Sequence, residues 1–223
     1  MPNTSQINNQ KVLSILRELG AIITDDHFVY TSGKHGSVYI RKDKLYPYTE
    51  KTSEICALIA QDMEDENIEV VVGPALGGII LSQWTAHHLT RLTGKQVLSV
   101  FSEKVYDDEQ VYDRPQMLKR GYDQLIEGKR VLVVEDLTTT GGSVKKVVDR
   151  VAEAGGETAC VYVLLNRNPE GVTSELMEAP FKSLAVLEAD AYDSDQCPLC
   201  EQHVPINTEV GHGKEFLAKT NSR

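Results

Sequence analysis

The chain has 223 residues, of which 41% are apolar and 25% charged, and a net charge of −10. This is the composition of an ordinary globular domain, and its acidic balance excludes sequence-independent binding to nucleic acid or acidic membrane, which needs a basic surface. Four cysteines in a chain this long make no disulfide framework, so reduced thiols are expected.

In chain order, MPNTSQINNQ lacks the basic region and apolar core of a signal peptide, so the expected location is the cytoplasm. Residues 9–19 carry Val12, Leu13, Leu16 and Leu19 at helical spacing, with Gly20 as a stop. Phe28–Tyr30 and Val38–Ile40 read as short strands around the turn-like SGKHGS. A second helix covers residues 50–64, with Ile55, Leu58, Ile59 and Met63 on one face. EVVVG at 69–73 is a β-branched run ending in Gly-Pro, as in a buried strand. The apolar stretch 70–84 is too short to span a bilayer and is broken by Gly73, Pro74, Gly77 and Gly78. A helix is expected over 78–92, then strands at 97–101 and 131–134. Val144, Val147, Val148 and Val151 follow at i, i+3, i+4 and i+7, the mark of a helix. Further strands are expected at 159–165 and 184–187. Such alternation implies an α/β fold, a mostly parallel twisted sheet flanked by helices that binds ligands at the carboxyl ends of its strands.

The stretch VLVVEDLTTTGGS at 131–143 is the most informative. Neither G-x-G-x-x-G nor G-x-x-x-x-G-K-[ST] occurs, which removes dinucleotide and Walker-type sites. Glu135 and Asp136 could simply end a strand in solvent. However, they precede small residues, Thr138 to Gly142 and then Ser143, that open onto the N-terminus of a helix, where free N–H groups and the dipole favour an anion. A ligand with a phosphate at one end and a vicinal diol at the other satisfies both halves. The carboxylates accept charge-assisted bonds from the diol, and a ribose 5-phosphate has that shape.

VLVVEDLTTTGGS resembles the 5-phosphoribosyl-1-pyrophosphate (PRPP) signature of type I phosphoribosyltransferases. HFVYTSGKHGSVYIRKDKLYP is similar to the N-terminal region of the orotate phosphoribosyltransferases, and VVVGPALGGIILS to their pyrophosphate loop. CPLC followed by a proline resembles the tail of one bacterial branch. The likeness runs in order over roughly residues 10–205. It implies a single domain: an N-terminal helix and hood strands at 1–48, a PRPP-binding α/β core at 49–190, and a tail at 191–223. The implied reaction is transfer of the phosphoribosyl group from PRPP to orotate, with Mg2+ as cofactor, in a homodimer that binds no nucleic acid and no membrane.

By the same resemblance, Glu135 and Asp136 hold the ribose hydroxyls, Leu137, Thr138, Thr139, Thr140, Gly141, Gly142 and Ser143 the 5-phosphate, and Ala75, Leu76 and Gly77 the pyrophosphate. Thr139 and Arg167 meet orotate, as do Ser32, Gly33 and Lys34, and Lys104 is the lysine kept from the catalytic loop. Departures from the better-known branch are Thr31 and Gly77 in place of lysines and Glu103 in place of an arginine. Asp107, Asp108 and Glu109 would repel pyrophosphate, and Lys119 and Arg120 are the candidates to restore positive charge. Two other functions stay open: transfer to another nucleobase, and a non-catalytic PRPP-sensing regulator.

At the C-terminus, Cys197, Cys200, His203 and His212 have the residue types of a Cys2His2 zinc site. The gap between the two histidines is wider than usual, and GHGKEFLAKTNSR reads as flexible, so a packed turn of reduced thiols is the alternative.

Overall fold

The computed structural model describes residues 4–30, 32–104 and 115–220. Helix α1 (Thr4–Glu18) leads into four two-residue strands, β1 (Ile22–Ile23), β2 (Phe28–Val29), β3 (His35–Gly36) and β4 (Tyr39–Ile40). The core then runs α2 (Thr49–Asp62), β5 (Val70–Pro74), α3 (Gly77–Thr93), β6 (Leu98–Lys104), β7 (Gln116–Met117), α4 (Tyr122–Ile126), β8 (Arg130–Thr138), α5 (Gly142–Glu153), β9 (Glu157–Asn166), α6 (Ser174–Met177) and β10 (Phe181–Val186). Two short helices follow in the tail, α7 (Pro198–Glu201) and α8 (Gly213–Thr220).

Among the described residues, six strands form the main sheet in the order β10-β9-β8-β5-β6-β7. All neighbours are parallel except β7, which returns antiparallel beside β6. The valine runs account for its two covered faces. Leu132 and Val134 of β8 pack in one core with α1, α2 and α3, while Val131 and Val133 point into the other with α5. Strand β5 divides in the same way, Val71 to one side and Val70 and Val72 to the other. Each fully buried side chain of this size contributes about 1.5–3 kcal/mol relative to an exposed one, so the central strands anchor the fold. All four valines of α5 face the second core. At the outer edge of β10, the Val186 N–H donates to Asn9 Oδ1 of α1 at 2.8 Å. Cys56 and Cys160 lie inside, where burial pushes both thiols up to about 12.

Three expectations need correction. SGKHGS is not only a turn: it contains β3, which pairs with β2, while β4 pairs back with β1. The turn is tighter than expected, because Gly33 takes φ +80° and Tyr30 N donates to Lys34 O at 2.8 Å. Strand β8 runs on through the acid pair to Thr138, held by β9 as far as the Thr138–Asn166 register. The tail is not without structure, since α8 forms and His212 N donates to Val29 O of the hood at 2.8 Å.

Candidate active site

The carboxyl ends of β5, β6, β8 and β9 share one edge of the sheet, which collects Ala75–Gly77, Lys104, residues 135–143 and Arg167 along it. Glu135 and Asp136 are 7% and 2% exposed, although they stand at the end of a strand. Glu135 is raised to about 8, first by burial and then by the adjacent Asp136 charge. Each Asp136 oxygen accepts one bond: Lys42 Nζ donates to Oδ1 at 2.7 Å, and the Tyr46 hydroxyl donates to Oδ2. Burial alone would lower the Lys42 ammonium, but the charge and hydrogen bond of Asp136, together with Glu135, outweigh it and raise the pKa. Burial and the same two acids raise the Tyr46 phenol. Lys42 and Tyr46 were not foreseen. Their stretch, KDKLYP, forms a short 3-10 turn and the segment after it, and carries no periodic signal.

Beyond the acids, Leu137 packs on the core, leaving its backbone toward the loop. Residues 138–144 with Glu135 and Leu137 line an open concavity of about 200 Å³. Gly141 takes φ +77° as the residue before α5, and its N–H donates to Thr138 Oγ1 at 3.1 Å. The first N–H groups of α5 have no acceptor within the helix and face this concavity. Asn168 Nδ2 donates to Thr139 O at 3.1 Å, and Arg167 N to Thr138 O at 3.0 Å, which latches the loop to the end of β9.

On the β5 side, Gly73 and Gly78 approach so closely that a Cβ on either would strike the other's backbone. A Cβ at Gly77 would collide with the Asp136 carboxylate and the Tyr46 hydroxyl. A lysine therefore has no room at 77 while this arrangement stands, and the cation at the acid pair is Lys42. The Ala75–Leu76 peptide is cis, and Leu76 is 82% exposed at the loop tip.

Arg167 lies over the Tyr30 ring, 4.8 Å from its centroid, and Nη2 donates to the Tyr30 hydroxyl at 3.2 Å. Its Nε is buried without a partner, so the guanidinium keeps donor capacity for a planar anion. Ser32, Gly33 and Lys34 stand on the β2–β3 turn beyond Tyr30, with Lys34 reaching Asp193 of the tail at 3.5 Å. Lys104 is exposed at the end of β6, opposite Gln116. Arg120 does not stand ready for an anion. It pairs with Glu103 and lies over Phe101, whereas Lys119 is exposed beside it. Thr31, Asp107, Asp108 and Glu109 fall outside the described residues. Cys197 and Cys200 come together with His27 and His35 of the hood, not with His203 and His212. His203 is exposed just past α7, and His212 is exposed next to α8.

A sequence model of the phosphoribosyl transferase domain matches residues 45–177. An orotate phosphoribosyltransferase of Caldanaerobacter subterraneus subsp. tengcongensis is 34% identical over 200 residues, covering 90% of this chain and 96% of that one. One from Chlorobium phaeobacteroides is 37% identical over 196 residues, covering 88% and 92%. Among solved structures, the Mycobacterium tuberculosis orotate phosphoribosyltransferase in complex with inorganic phosphate superposes with a TM-score of 0.62 at 21% identity, covering 81% of this chain and 96% of that chain. The Aeropyrum pernix enzyme superposes at 0.59 with 24% identity, covering 79% and 93%. With the family domain matched over most of its core and relatives aligned along nine-tenths of its length, this chain belongs to the orotate phosphoribosyltransferase family.

Proposed function

We propose that this protein transfers the 5-phosphoribosyl group of PRPP to N1 of orotate, releasing pyrophosphate and forming orotidine 5-phosphate for pyrimidine nucleotide synthesis. The observation that carries this reading is the buried Glu135–Asp136 pair beside the Thr138–Ser143 loop, with Arg167 at the end of the neighbouring strand. The loop N–H groups and hydroxyls hold the 5-phosphate, with Gly141 N released from Thr138 as it turns to the ligand. Asp136, braced by Lys42 and Tyr46, accepts from one ribose hydroxyl through a lone pair those two leave open. Glu135 holds the other, and its protonated form also offers a donor. Arg167 takes the orotate carboxylate in two parallel bonds, above the Ser32–Lys34 turn, while Thr139 touches the base.

In the reaction, orotate binds with its N1 proton already released to water, and the N1 lone pair forms the bond to C1 as the C1–oxygen bond breaks and its electron pair leaves with pyrophosphate. Positive charge grows on the ribose ring, and the Asp136 carboxylate that holds its hydroxyl favours that charge. The amides of Ala75–Gly77 and the ammonium of Lys104 receive the departing pyrophosphate. Both Asp136 oxygens already accept bonds and Glu135 is buried, so the donors fit a Mg2+ carried on PRPP oxygens, not one resident on the protein. Bound in that way, Mg2+ would offset the charge of the leaving group.

We also place the protein in the cytoplasm as a homodimer: its four cysteines stand outside disulfides, as in a reducing compartment, and the resemblance to the family implies the dimer. No described helix is long and apolar enough to cross a membrane. The deciding assay mixes the protein with PRPP, Mg2+ and a panel of bases, and follows pyrophosphate release. Release with orotate alone is expected. Release only with a purine, or none despite tight PRPP binding, would overturn the assignment.

A further inference from the structure

The hood and the tail meet at four side chains that the transferase chemistry does not use. His27 and His35, at the two ends of the β2–β3 hairpin, are fully buried, as is Cys197, and Cys200 is half-buried beside them. One ligand atom from each lies within 4.8 Å of all the others. His27 Nε2 is 3.7 Å from Cys197 Sγ and 3.8 Å from Cys200 Sγ, and His35 Nδ1 is 3.4 Å from Cys200 Sγ. The two ring nitrogens are 2.9 Å apart.

Tetrahedral geometry sets what a zinc ion would require. With Zn–S of about 2.3 Å and Zn–N of about 2.0–2.1 Å, ligand nitrogens and sulfurs stand about 3.5 Å apart, and two nitrogens about 3.3 Å. Three of the four nitrogen–sulfur separations, 3.4–3.8 Å, bracket that value, the two histidines need to part by a few tenths of an ångström, and the remaining pairs lie within 4.8 Å. The tautomer is also set. His27 Nδ1 lies 2.8 Å from Val204 O, and a carbonyl only accepts, so Nδ1 carries the hydrogen and Nε2 presents its lone pair to the cluster. Coordination through His35 Nδ1 places that ring's hydrogen on Nε2, which is buried with no partner, so the four metal bonds must outweigh one unpaired donor.

We propose that His27, His35, Cys197 and Cys200 form a closed Cys2His2 zinc site that staples the C-terminal tail to the hood. Two N and two S donors filling a tetrahedron with no open position make a structural centre, not a catalytic one. Its neighbours are the links already joining the two segments. Tyr192 and His35 exchange backbone bonds of 2.8 and 2.9 Å, and Asn207 N donates to His27 O at 2.8 Å. The staple closes at the base of the hairpin that carries Ser32–Lys34, so zinc would hold that turn above Arg167.

Elemental analysis of the full-length protein, purified without a histidine tag from zinc-supplemented cells, should find about one zinc per chain, a content read independently of turnover. Cys197→Ser and Cys200→Ser should each lose it, while His203→Ala, His212→Ala and Cys160→Ser retain it. Should the first two fail to fold, wild-type protein produced in cobalt-supplemented medium gives the same answer. Thiolate-to-cobalt charge transfer with the visible bands of tetrahedral Co(II) supports the site. Metal-free protein, a Cys197–Cys200 disulfide, octahedral cobalt bands, or zinc persisting in a folded Cys197→Ser Cys200→Ser variant would overturn it.

Discussion

Replacing Glu135 with glutamine tests the electrostatics at the end of β8. The carboxyl is 7% exposed, and burial followed by repulsion from Asp136 raises it from its ordinary 4.5 to about 8. The folded protein therefore keeps a proton on Glu135 across a range where the unfolded chain has lost it. The sign follows from linkage: the stability from this proton is fully present below pH 4.5, falls as pH rises, and is gone above about 8. Within that window the slope approaches about 1.4 kcal/mol per pH unit, so two units cost on the order of 2–3 kcal/mol. Glutamine keeps the shape and has no charge to desolvate. Urea unfolding of ligand-free wild type and Glu135→Gln at half-unit steps from pH 5.5 to 7.5 reads the effect. Wild type should lose stability steadily relative to the variant. Parallel profiles would refute the reasoning, because Glu135 would then ionise alike in the folded and unfolded states.

Two further predictions concern the rims of the site. Arg167→Lys keeps the charge but loses the planar fork, so the KM for orotate should rise about tenfold, equivalent to about 1.4 kcal/mol, with the KM for PRPP little changed. Steady-state kinetics with each substrate varied would show it, and equal shifts in both constants would deny Arg167 its place at the base. Gly141→Ala adds a Cβ where φ is +77°, 2.7 Å from Met177 Cε and 2.9 Å from Leu176 Cδ2. Overpacking and a left-handed backbone together should remove about 2–4 kcal/mol from the unfolding free energy, read by urea denaturation.

What the sequence discloses depends on the range of the interaction. The valine runs of β5 and β8 and the valine stripe of α5 are local patterns, and each becomes the element its period demands. The acid pair reads in the sequence as a candidate ligand site but not as strand, because Glu and Asp disfavour strands and only the ladder with β9 holds them in one. The hood strands are two residues each, too short to show any period, so β3 inside SGKHGS and the pairing of β4 with β1 carry no local signal. Lys42 and Tyr46 reach Asp136 across about 90 positions, and no local signal announces them. His27 lies 170 positions from Cys197, so a search for nearby residues of the right type, which offered His203 and His212, had no means of finding it.

The outer edge of β10 has a consequence for how copies of this chain associate. Leu187 N bonds inward to Asn166 O, so the Val186 N–H faces outward, where the Asn9 side chain of α1 takes it. A neighbouring polypeptide that tried to extend the sheet there would have to displace the first helix. At the opposite margin β7 is only two residues long, a poor template for strand addition. Sheet extension is therefore obstructed at the β10 margin, where association has to proceed through side-chain surfaces.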